Sequence, residues 1–139
     1  VTESAGSAIA GPADPACTAE DRMSTRNDLL KAVTALEDTF RRSADLGGDE
    51  FRSNRREVVH LRREIGSRMS ELAAVIAALD EADLRERCRA EISRMRAAVA
   101  LHHASWPVVA IDLEEAGYKA SIHTMRCAYR QFIEWARMQ

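Results

Sequence analysis

Cys88, Ile92, Met95, Val99, His102 and Trp106 follow one another in alternating four- and three-residue steps. On a helix of 3.6 residues per turn that spacing puts all six on one stripe, which a neighbouring helix must cover. Three more stretches carry the same pattern. Leu29, Val33, Leu36 and Phe40 make one; Val58, Leu61, Ile65, Met69, Leu72, Ile76 and Leu79 a second; Ile122, Met125, Tyr129, Phe132 and Ala136 a third. No stretch alternates with the two-residue period of a strand, and nothing repeats at solenoid length. The fold class that follows is all-α: four helices joined by mostly short connections, packed as an up-down antiparallel bundle.

The boundaries come from caps and breakers. Thr18-Ala-Glu-Asp21 and Ser24-Thr-Arg-Asn27 each offer a side-chain oxygen to start the first helix. It runs to about Asp45 and closes at Leu46-Gly47-Gly48-Asp49, where the glycines provide a C-cap and the aspartate a cap for the next helix. The second helix spans roughly 49–79, and Asp80-Glu-Ala-Asp83 is an acidic connector suited to a helix N-terminus. Pro107 breaks or kinks the third. Val108–Gly117 reads as a short irregular turn or helix, and the fourth helix begins near Tyr118. Residues 1–17 hold five Ala, two Gly, two Ser and two Pro. They carry too little apolar surface to offset the entropy of ordering, and read as a flexible tail before a single domain, 18–139. Between Phe51 and Trp106 there is no aromatic residue, so the expected core is aliphatic in the middle of the chain, with ring bulk toward its ends.

Charge and cysteine content narrow the function. Twenty basic residues stand against 22 acidic ones, a net charge of −2, which argues against a nucleic-acid binder held by bulk charge. Between 41 and 68 eight arginines accompany five acids at turn spacing, Glu64 with Arg68 for example. That pattern is a solvated ion-pair face, without the interleaved aromatics of a single-strand stacking platform. Cys17, Cys88 and Cys127 form no C-x-x-C pair, and free thiols fit a cytoplasmic location. Cys88 belongs to a seam and reads as core, whereas Cys127 lies off its seam and reads as exposed. No segment is apolar and long enough for a membrane span, and the first residues lack a signal-peptide pattern. Phosphate-binding glycine loops, the H-E-x-x-H zinc pair and the G-x-S-x-G turn are absent, so no catalytic role is indicated.

The histidines can be placed by counting outward from each connection, since each helical residue rises 1.5 Å. With turns centred near Gly48, Glu81 and Leu113, His60 stands level with Leu36 and Glu37, His60 with His102, and His103 with His123. Glu37, His60, Glu64, His102 or His103, and His123 then occupy one layer. In this helix order, with His60-x-x-x-Glu64, His102-His103 before Trp106-Pro107, and His123 on the last helix, the chain resembles the hemerythrin-like four-helix bundles. The resemblance implies a non-haem iron site, with His60, Glu64, His102, His103 and His123 as its ligand set, and an oxygen-sensing or metal-binding role. The seams give a different expectation: His60 and His123 point outward, Glu64 lies on a flank, and only His102 faces the core. Equal height without equal facing assembles no metal site.

His60 also carries an alternative reading. An outward histidine between Arg56 and Arg63 suits a phosphoryl acceptor in a histidine-phosphotransfer module. The leading expectation is a non-enzymatic bundle without a cofactor, acting in a regulatory or adaptor role through a protein partner or a second copy of itself. In Val58-Val59, Val75-Ile76 and Val108-Val109 one member of each pair falls outside the seam, which widens the apolar face available for docking.

Overall fold

A computed structural model describes residues 18–46 and 54–139. Four helices, α1 (Ala19–Asp45), α2 (Arg55–Ala77), α3 (Ala82–Ser105) and α4 (Ala116–Arg137), account for nearly all of them, with one 3-10 turn at Val108–Ala110. The tail assigned to 1–17 and the Gly47-Gly48-Asp49 cap lie outside the described residues. None of the described helices is long and apolar enough to cross a membrane.

Neighbouring helices run antiparallel. Thr39 of α1 bonds Glu64 of α2, while the start of α1 (Thr25, Asp28, Lys31) lies beside the end of α2 (Ala74, Val75, Ala78). His102 near the end of α3 bonds Ser121 near the start of α4, and Arg87 near the start of α3 reaches Gln139 beyond the end of α4. The up-down bundle expected from the seams is therefore the observed fold.

The four stripes form the core, with Leu29, Val33, Leu36 and Phe40 meeting Ile65, Leu72, Ile76, Cys88, Met95, Val99, Tyr129, Phe132 and Ala136, all buried. Phe40 and Tyr129 stack nearly parallel, their centroids 4.0 Å apart, and close the interface between α1 and α4. The aromatic bulk thus comes from α1 and α4, while α2 and α3 contribute aliphatic side chains and sulfur.

Thr18 opens α1 through a capping box, accepting from the Asp21 backbone N–H while the Asp21 carboxylate accepts from the Thr18 backbone. Burial of Cys88 at the α3 seam raises its thiol pKa, with Arg87 opposing, as suits a core cysteine. Pro107 does end α3, at Ser105.

Two boundaries differ from expectation. Helix α2 begins at Arg55, later than 49, and α4 begins at Ala116, two residues before Tyr118. The first difference moves the register: Glu64, one turn beyond His60, meets Thr39 and Arg42. Counting from Gly48 had set His60 itself opposite Leu36 and Glu37. Relative to α1 the second helix stands about two turns from that position.

Replacing Phe40 with Ala removes one face of the stack and leaves a cavity in the seam. The expected loss is roughly 3–5 kcal/mol in urea unfolding, with Phe40→Leu costing clearly less.

Candidate functional site

Three polar centres and one exposed shelf stand out. The first centre is Glu64, only 18% exposed on the side of α2 that meets α1. Its Oε1 accepts from the Thr39 hydroxyl at 3.3 Å and pairs with Arg42, while Arg68 stands 3.8 Å away. Burial works against ionising this carboxyl, but the hydrogen bond and charge of Arg42, the Thr39 hydroxyl and Arg68 outweigh it, so the pKa lies below the ordinary value. Of these partners only Arg68 was legible as a turn-spaced pair. Arg42 and Thr39 approach from another helix, although Thr39, a polar residue beside the seam residue Phe40, offered a clue.

The second centre closes the end of the bundle where α1 and α3 finish and α4 begins. His102 is buried, and its Nδ1 lies 2.7 Å from the Ser121 hydroxyl. Its ring lies 5.7 Å from that of Tyr118 and 5.9 Å from that of His103. Trp106 meets Tyr118 edge-on at 5.5 Å, and Arg62 of α2 donates through Nη1 to the Trp106 carbonyl at 2.7 Å. That bond ties α2 to the C-cap residue of α3. Burial, followed by the guanidinium charges of Arg62 and Arg126, holds His102 down to about 4. Burial, Arg62 and His102 hold His103 at about 4 as well. Both imidazoles are therefore neutral at pH 7. Burial also raises the Tyr118 phenol, against Arg62 and Arg126, so it stays protonated. Neither Arg62 nor Ser121 stood out in the sequence, since nothing in an Arg-rich helix marks the one arginine that folds inward.

The third centre lies on the outer face of α4, where His123 Nε2 and Cys127 Sγ are 3.6 Å apart. His60 lies at the edge of the first centre: its side chain is 66% exposed on α2, with Nε2 3.8 Å from Glu64 Oε2.

The five residues proposed as metal ligands thus fall into three places: His60 with Glu64, His102 with His103, and His123 with Cys127. Among the described residues no three His, Cys, Asp or Glu side chains converge as a metal would require. Glu37, placed at the same level by counting, pairs instead with Arg41 at 2.8 Å and Arg137 at 2.5 Å.

The shelf runs along the outside of α1. Met23, Asn27, Leu30 and Thr34 follow the four-three-four spacing of a seam, yet all four are exposed, Met23 at 62% and Leu30 at 41%. Beside them Thr25, Asp28 and Lys31 of α1 and Ala74, Val75 and Ala78 of α2 line a depression of about 390 Å³. Of the residues singled out as lying beside a seam, Val75 joins this depression and Val109 is exposed at the 3-10 turn.

In comparisons with family models, with curated proteins and with solved structures, nothing matches the chain.

Two acid-side effects follow. Protonating His102 and His103 is easier in the unfolded chain, whose histidines titrate near 6.5, than in the fold, where they titrate near 4. Stability is therefore complete above pH 6.5 and falls as the pH drops toward 4. The His102→Gln/His103→Gln double variant should flatten that limb of the Tm–pH curve. Glu64, with its pKa lowered from 4.5, adds stability above about pH 4.5 that disappears at more acid values. Between pH 5 and pH 2.5 the Glu64→Gln variant should accordingly lose less Tm than the parent chain.

Proposed function

We propose that this chain is a non-enzymatic bundle that works by binding another protein, in a regulatory or adaptor role, through the shelf on α1. The observation that carries the reading is the seam-spaced line Met23, Asn27, Leu30 and Thr34, exposed among the described residues beside a depression whose floor is Ala74, Val75 and Ala78. Spacing of this kind receives a helix, whose side chains seat between residues one turn apart. From Met23 to Thr34 the line runs about 16 Å, room for three turns of a partner helix.

The partner favoured is a different protein with an amphipathic helix. A helix with an acid for Lys31 and a basic residue for Asp28 meets the rim with opposite charge.

The other readings have less support. The hemerythrin-like iron site requires His60, Glu64, His102, His103 and His123 to meet, and they stand in three separate places. Phosphotransfer has an accessible His60, but a phosphoryl group there would sit beside the Glu64 carboxylate, 3.8 Å from the ring nitrogen.

The test uses a photo-crosslinking amino acid at Leu30 and, as a control, at the exposed Ala100 of α3, in cells that express the chain. An adduct of one defined mass at position 30 and none at position 100 is expected. With the captured partner purified, Leu30→Glu should weaken binding at least tenfold while leaving Tm nearly unchanged, since Leu30 is outside the core. Equal labelling at both positions, or unchanged affinity in the variant, would refute the shelf.

A further inference from the structure

We propose that the recess beside His102 and His103 binds a carboxylate. It is a second site, at the end of the bundle where α1 finishes, and it does not depend on the α1 shelf.

The recess holds about 40 Å³ and is lined by side chains of all four helices and of the α3–α4 connection, with Arg62, His102, His103, Tyr118 and Arg126 as its main polar groups. That space is worth about three waters, enough for the three heavy atoms of a carboxylate with the rest of its molecule outside.

Its chemistry is one-sided. Arg62 and Arg126 bring two permanent positive charges, and among the described residues no carboxylate pairs with either. Arg62 spends one N–H on the Trp106 carbonyl and keeps four, while Arg126 makes no hydrogen bond among the described residues. The His103 ring and the Tyr118 hydroxyl, likewise without a hydrogen bond among them, can donate as well, and Ser43 is a further lining residue. The apolar side chains Val58, Ile111, Ile122 and Met125 keep the surroundings dry enough to strengthen such contacts. Donors and positive charge converge on a small space to which the described residues bring no negative charge.

The arrangement also explains what an anion would change. Both guanidiniums weigh on His102, and Arg62 on His103, so each imidazole is held neutral partly by charge that a bound carboxylate would cancel. Binding should therefore move the titrations of His102 and His103 upward from about 4, whereas the exposed His60 should not respond.

The experiment is an acetate titration at pH 7 and constant ionic strength, with chloride as the replaced anion, followed by calorimetry and by NMR of the histidine rings. Saturable binding with a Kd on the order of 1 mM is expected, a strength that four heavy atoms can reach. The ring signals of His102 and His103 should shift and those of His60 should not. Arg126→Met, which loses no hydrogen bond among the described residues, should weaken binding at least tenfold, as should Arg62→Met if it folds. N-acetylalanine, tested in parallel, separates a peptide chain end from a free small acid by which of the two binds more tightly. Unsaturable shifts shared by Arg126→Met, or saturation with phosphate and none with acetate, would overturn the assignment.

Discussion

A carboxylate lodged between two helices has to be neutralised where it stands, and Glu64 meets that requirement with groups from both sides. Aliphatic seams fix which faces meet, but a Leu or Ile can trade one groove for the next at modest cost. Glu64 cannot. Sliding α2 by a turn along α1 would separate it from Thr39 and Arg42 and leave the carboxylate only the longer contact to Arg68 on its own helix, a larger penalty than a misplaced methyl group. With Glu64 opposite Thr39 and Arg42, Glu37 is left to Arg41 and Arg137.

The polar groups consequently divide by location. Along the length of the bundle they serve packing or lie in solvent. At the end where α1 and α3 finish, they are crowded together by the short α3–α4 link, which Pro107 and the 3-10 turn keep compact. Two neutral histidines, a protonated tyrosine and two arginines meet there without an acid among the described residues. The exposed shelf lies near the other end of α1. The two surfaces available for recognition thus differ in chemistry and stand well apart.

The seams made the fold legible, since 3.6-residue periodicity survives any detail of the loops. Pro107 ends its helix, Thr18 caps its own, and His102 faces the core while His60 and His123 face outward, as their positions relative to the seams required. The candidate site was legible only in part. Facing depends on a residue's own helix, and it is short-range information. Which residues stand opposite each other depends on connection length, and the Gly47-Gly48 pair misplaced the level of α2 by about two turns. The partners of Glu64 and His102 come from other helices, where no spacing rule reaches. The inward role of Arg62 was masked by the abundance of arginine around it.

Arg26 has a wider consequence. From the first turns of α1 it donates through Nε and Nη2 to Glu81, between α2 and α3, and through Nη1 to the Gln139 carbonyl. One side chain therefore joins the start of α1, the α2–α3 turn and the last residue at a single end of the bundle. A force drawing residues 18 and 139 apart would be perpendicular to the helices and would load this clasp first. The helices would then peel from one another sequentially, in a zipper geometry, where the same bundle pulled along its axis would have to shear whole seams at once. The fold is accordingly built to yield gently to tension between those two residues.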